Sequence, residues 1–401
     1  MSDSGIEGIT PASRSKRDKR DYSLLGADAQ RAVERGLSTA QWYQTPIPRK
    51  QMKALMRRSD SPAIKDTILW LGIMLVSAAL GVYFWGSWVC VPFWAVYGVM
   101  YASGADSRWH ECMHGTAFKT LWMNDVVYQI ASFVSMRNAV WHRWSHARHH
   151  TDTIIVGRDV EIVAMRPPRK EVILNFFGLA YSVPGLLAML RHAVGKVNAE
   201  EKTFIPESEH AKMARFARIS LLIHATTIAL ALALGSWLPL MLVGLPYFFG
   251  NWHIALFGLL QHGGLADNVT DHRLNSRTVY MNPISRFICW NMNYHLEHHM
   301  YPMVPYHALP KLHELIRHDT PAPTPSIWAG CREILPVFLR QWRDPEYYLR
   351  RELPPTANPY QDAPPGQPPA ALGDSTTSSE TGPQRIPADA VAWNPPMGKM
   401  T

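Results

Sequence analysis

Apolar positions along this chain gather into long blocks instead of alternating with polar ones. The first, residues 67–85 (TILWLGIMLVSAALGVYFW), carries no charged side chain. A run of about 19 residues makes about 28 Å of helix, enough to cross the hydrocarbon of a bilayer. A second block, 88–105 (WVCVPFWAVYGVMYASGA), follows directly on Gly86 and Ser87, so the two predict an antiparallel helical hairpin. A third at 219–234 and a fourth at 238–260 form another pair, with Gly235, Ser236, Trp237 and Pro239 at the turn. Trp and Tyr at several block ends fit the aromatic belt of a membrane interface. A weaker block at 172–190 contains Gly178, Pro184 and Gly185 and is flanked by Arg169, Lys170, Arg191 and Lys196. It predicts a helix lying in the interface instead of a fifth crossing. The pattern is that of an all-α membrane protein with four transmembrane helices in two hairpins.

Charge orients the spans. Residues 1–65 are polar and strongly basic and lack the apolar core of a cleavable signal. Positive charge ahead of a span marks the cytoplasmic side, which accounts for this segment without a nucleic-acid partner. An even number of spans puts both termini, the long 106–218 loop and everything after the fourth span on that side, expected to be the cytoplasmic face of a bacterial inner membrane. The composition agrees: 47% of the 401 residues are hydrophobic and 18% charged, against roughly 25% charged in soluble chains. Four widely spaced cysteines exclude a disulfide scaffold, a zinc ribbon and a cysteine-held iron–sulfur centre. The expected divisions are a basic, partly disordered segment over 1–65, a membrane domain over 66–320, a helical extension over 321–353 and a disordered tail over 354–401, which holds 11 of the 31 prolines.

Candidate chemistry lies in the histidines. HECMH spans 110–114, HRWSHARHH spans 142–150 and HLEHH spans 295–299. Residues three or four apart share a helix face, and adjacent ones diverge by about 100°, so an HxxHH helix can serve two metal ions. One such motif alone is commonly incidental, but three predicted on one side of the membrane are not. Imidazole suits iron, copper, nickel and zinc, and so many ligands are too many for one ion and about right for two. Glu111, Glu161 and Glu297 are candidate acceptors for imidazole N–H groups.

At HECMH, at WSHARHHTDT with Asp159 and Glu161 downstream, and at NYHLEHHMYP, the sequence resembles the membrane fatty acid desaturase family, which includes related histidine-rich hydroxylases. The resemblance spans about residues 65–320. It implies a cytoplasmic helical cap holding two non-haem irons that activate O2 with two electrons from outside. It adds His262, in GLLQHGG, as a ligand. It assigns His110, His150, His295 and His299 to one iron and His114, His146, His149, His262 and His298 to the other. His142, one turn before His146, is an extra ligand, a group that braces a ligand, or a surface histidine. Asp152, Asp159, Glu161, Asp267, Asp271 and Glu297, with Asn268 and His272, are further bracing candidates; His253 lines a pocket or is structural, and His224 is structural. The implied reaction is desaturation of an acyl chain. A hydroxylase or demethylating oxygenase acting on another substrate is the alternative, and a metal transporter is disfavoured because the histidines lie beyond the span ends. The chain has no HPGG, no ferredoxin cysteine set and no GxGxxG, so an external ferredoxin or cytochrome-type donor with its reductase is implied. The basic cytoplasmic surface would steer an acidic donor.

Overall fold

The computed structural model describes residues 20–361. The expectations for the extreme basic end and for most of the proline-rich tail therefore lie outside the described residues. Every regular element among the described residues is helical, and extended pairing is limited to two isolated bridges, Thr278 with Tyr294 and Val279 with Thr324.

Two short helices, α1 (Ala27–Glu34) and α2 (Arg49–Leu55), lead into α3 (Asp60–Tyr83), and α4 (Cys90–Ala102) runs back along it after a turn at Gly86, φ 87°. Trp70 is buried between the pair and donates its indole N–H to the Met100 carbonyl at 2.7 Å. At Gly81 a Cβ would sit 2.7 Å from the Trp94 ring, so only glycine permits this crossing. The chain then enters α5 (Trp109–Met113), α6 (Leu121–Val134) and α7 (Ala139–Thr151), which carry the first two histidine motifs. Asn138 caps α7, its side-chain oxygen accepting from the Val140 and Trp141 N–H groups. Next come α8 (Glu171–Phe176), α9 (Leu179–Ala193) and the long α10 (His210–Leu234). Here α9 packs along α10 and exposes Val183, Leu187 and Leu190. After α11 (Leu238–Leu242), α12 (Leu245–Gly250) and α13 (Trp252–His262), the chain forms α14 (His272–Asn275), α15 (Pro283–Ile288), α16 (His295–Met300), α17 (Leu309–Ile316) and α18 (Ile327–Gln341). The largest core joins α5 and α6 to the segment around α16 and α17, through Trp109, Met113, Tyr128, Trp290, Leu296 and Leu312.

Two stretches, Arg49–Tyr83 and Glu207–Leu234, are long and apolar enough to cross a membrane. Only 17% and 22% of their most apolar windows are buried within the protein, unlike the core helices of a soluble domain. The other two expected spans need correction. The second ends after the 13 residues of α4, about 20 Å of helix, because Ala105 is extended (φ −70°, ψ 154°) and Asp106 left-handed (φ 51°, ψ 18°). The fourth is broken twice: extended Val243 and Gly244 at φ 98° separate α11 from α12, which Pro246 opens, and Asn251 separates α12 from α13. The interfacial block likewise divides at Gly178, φ 68°.

The tail boundary drawn from composition cuts through ordered contacts. Buried Arg273 pairs with Asp271 at 2.7 Å and Asp319 at 3.1 Å and donates to the carbonyls of Asn358 and Pro359. The Gln361 N–H donates to Asp271 and the Asn358 N–H to Asp319. Residues 354–361 are thus fastened to the body of the protein.

Candidate metal centre

Four elements deliver imidazoles to one buried region: α5 with the residue that follows it, α7, the last residue of α13, and α16. Two groups result, one of His110, His114, His146, His150 and His298, the other of His149, His262, His295 and His299. Within each group the ligand atoms lie within 4.8 Å of one another. All nine of the candidate ligands are brought together, but divided differently from the resemblance. His150 and His110 join His114, His146 and His298, while His149 and His262 join His295 and His299. The reason is helical geometry: the pairs 110/114, 146/150 and 295/299 are each four apart and share a face, whereas His149 and His298 point away from His150 and His299 by about 100°.

Around the first group the Nε2 atoms form a closed ring: His110 to His298 at 2.6 Å, His298 to His150 at 3.2 Å, His150 to His146 at 3.0 Å, and His146 to His110 at 3.1 Å. The second forms a chain, His149 to His299 at 3.2 Å, His299 to His295 at 2.9 Å and His295 to His262 at 2.9 Å. These are not ordinary hydrogen bonds, because several of the far ring nitrogens already hold the proton. His146 Nδ1 donates to Glu161 at 2.7 Å, His149 Nδ1 to Asp159 at 2.8 Å and His262 Nδ1 to the Asn275 carbonyl at 2.7 Å. Thr153 gives its hydroxyl proton to the His149 carbonyl, so at 3.3 Å it accepts from His299 Nδ1. Wherever such a ring is neutral, its Nε2 lone pair faces the other imidazoles of its group, the arrangement that receives a cation. The donor set therefore fits two ions that favour imidazole.

Electrostatics agree. Burial lowers His110 to about 3 and holds His114, His146, His150, His262, His295, His298 and His299 well below the usual histidine range. They are neutral at pH 7, the form that ligates metal. His149 moves the other way: burial opposes its charge, but Asp159, Glu161 and Asp106 together outweigh it. Burial raises Glu111 and Glu161 to about 7.

Of the bracing candidates, Asp159 and Glu161 meet ligand imidazoles directly. Glu111 Oε1 lies 3.6 Å from His298 Nδ1. Glu297 turns away, accepting from His313 at 2.6 Å and from Thr278 at 2.5 Å. Asp152 pairs with Arg148 and Arg158, Asp267 with Arg20, and Asp271 with Arg273. Asn268 accepts from the Val156 N–H. His142 belongs to neither group; its ring packs edge-on against Trp109 and its Nδ1 is 3.9 Å from Glu161. His272 stacks on Trp42 with ring centroids 4.2 Å apart. His253 donates to the Gly250 carbonyl, and His224 stacks on Phe133. Sequence reasoning missed Asp106, Ser145, Thr153, Gln261 and Asn275. Ser145, which donates to Glu161 at 2.6 Å, and Thr153 sit inside the second motif and Gln261 adjoins His262, so these three were findable by proximity.

With this geometry in view, comparison with known proteins is informative. The family model described as fatty acid desaturase matches residues 86–330, more than half of the chain and all three histidine motifs. A curated relative, the sn-1 linoleoyl-lipid 6-desaturase of Synechocystis sp., is 24% identical over 239 residues. That match covers 52% of this chain and 66% of the relative's length.

Proposed function

The chain belongs to the fatty acid desaturase family, and from that premise we propose that it is an O2-dependent di-iron desaturase that introduces a carbon–carbon double bond into a lipid acyl chain. Membership makes it a membrane-associated oxidoreductase. The finer reading rests above all on one observation, nine imidazoles gathered into two groups whose ligand atoms lie within 4.8 Å of one another. The name of the Synechocystis relative, which specifies a lipid-borne linoleoyl group, supports an acyl substrate.

The five-histidine group would hold one iron and the four-histidine group the other. When bound, a pair of irons supplies the oxidising power to take hydrogen from an unactivated C–H bond, using O2 and two electrons from a ferredoxin or cytochrome-type donor. The chain's own residues do the positioning. Glu161 and Asp159 keep the proton on Nδ1 of His146 and His149, aiming Nε2 inward. The packing of Trp109, Leu296 and Met300 beside the ligands excludes water.

We place both termini and the histidines on the cytoplasmic face of a bacterial inner membrane. In this reading α3 and α4 form one hairpin, and α10 with the broken α11–α13 segment forms the other. The short and broken members would be completed by neighbouring helices, since irregular backbone at membrane depth is tolerated where protein covers it. Residues 66–320 would be the catalytic unit, with 321–353 as its helical extension.

The test is lipid profiling of a host expressing the chain with a ferredoxin and its reductase. A new double bond, absent with His298→Ala, is expected. An alcohol or a dealkylated product would instead establish the hydroxylase or demethylase reading. For topology, single cysteines introduced as Ser208→Cys and Ser285→Cys, with the native cysteines removed, should resist an impermeant thiol reagent in intact cells and react once the membrane is opened. Labelling of Ser208→Cys in intact cells would overturn the arrangement.

A further inference from the structure

Asp106 belongs to none of the histidine motifs, yet it occupies the point where α4 stops and the metal-binding region starts. Its backbone is left-handed (φ 51°, ψ 18°), a conformation that costs most residues energy but that Asp, Asn and Gly adopt readily. The turn it makes aims α5, and with it His110, away from the axis of α4. Its carboxylate has two neighbours. Oδ2 accepts from the Gln261 side-chain amide at 2.8 Å. Oδ1 lies 3.5 Å from His110 Nδ1. That nitrogen is buried and makes no hydrogen bond.

We propose that Asp106 is a positioning residue for the five-histidine group, holding His110 with its proton on Nδ1 and tying that ligand, through Gln261, to the helix that ends in His262. The role follows the pattern at His146 and His149, whose Nδ1 atoms meet Glu161 and Asp159. Here the brace comes from before the first motif and also reaches the other group, because Gln261 immediately precedes His262. The inference rests on the nine histidines being a two-metal centre.

The backbone conformation supplies the experiment. Asp106→Gly keeps the left-handed turn without strain and removes the carboxylate. Asp106→Asn keeps the turn and one acceptor oxygen. The full-length protein, stripped by chelation and titrated with Co2+, reports stoichiometry, affinity and the visible spectrum of each site independently of turnover. Two bound Co2+ are expected for the wild type. Asp106→Gly should weaken one site at least tenfold, the same site that His110→Ala eliminates, and leave the other unchanged. Asp106→Asn, which keeps an acceptor oxygen but not the charge, should weaken the same site less than Asp106→Gly does. Wild-type affinity at both sites in Asp106→Gly, or equal loss at both, would overturn the assignment. Failure of the wild type to bind two Co2+ would overturn the two-metal reading itself.

Discussion

The two histidine groups draw on shared helices, α7 and α16, but are held by different chemistry. Among the described residues, the acceptors nearest the Nδ1 atoms of the five-histidine group are carboxylates: Glu161 bonded to His146 at 2.7 Å, with Asp106 3.5 Å from His110 and Glu111 3.6 Å from His298. Around the four-histidine group only Asp159 is charged; His262 leans on a carbonyl and His299 on a hydroxyl. A carboxylate raises the basicity of the imidazole it braces, whereas a neutral oxygen mainly orients it. On the proposed two-metal reading the first group would hold its ion more by charge and the second more by geometry, a difference that helical periodicity alone would not produce.

Removing ligands gives the largest effect and tests whether the groups are separate. His298→Ala and His295→Ala should each abolish product formation, and metal counting should show that each loses the ion of its own group first. If either variant kept wild-type metal and turnover, the division would be wrong. Removing charge comes next. Glu161→Gln should weaken the five-histidine site by about 10–100-fold and Asp159→Asn the four-histidine site by a similar factor, each sparing the other; competition against a chelator measures both.

Acid treats the two groups as one. His110 sits near 3 in the folded protein, against about 6.5 unfolded. Between those values the unfolded chain binds more protons, so its stability relative to the unfolded state falls as pH falls. The other seven lowered histidines of the two groups act in the same direction and outnumber the groups that oppose them, His149, Glu111, Glu161 and Asp106, all shifted upward. The metal-free protein should therefore melt at lower temperature at pH 5 than at pH 7.5. A higher melting temperature at pH 5 would show that the imidazoles are not buried as neutral groups. The smallest effect belongs to Glu297→Gln. Its carboxylate serves His313 and Thr278, so metal affinity at either site should change by less than about threefold, well below the range for a true brace.

How far these features could be read from sequence depended on how local they are. The long apolar helices α3 and α10 were legible because a continuous run of apolar residues needs no partner to be recognised. The ends of α4 and the breaks after α11 were not, since a hydropathy window averages across one left-handed residue such as Asp106 or Gly244. The gathering of nine histidines follows from short motifs, but their division needed the rule that residues four apart share a face. The braces split along the same line. Glu161 and Asp159 lie within 15 residues of the imidazoles they meet. Asn275 bonds Thr153 across 122 residues, and Asp106 meets Gln261 across 155. Proline content likewise does not show that the Asn358 and Pro359 carbonyls satisfy a buried arginine.

The short helix α16 sets the order in which the site can come into being. Each group contains histidines from this six-residue helix, so neither is complete before the ribosome has passed residue 299. By then both long apolar helices have already been made. A nascent chain carrying only HECMH and the second motif holds an open half-ring of imidazoles, able to capture whatever soft cation is abundant. Selection of a metal would therefore fall after residue 299 has been made, when α16 closes over both groups at once.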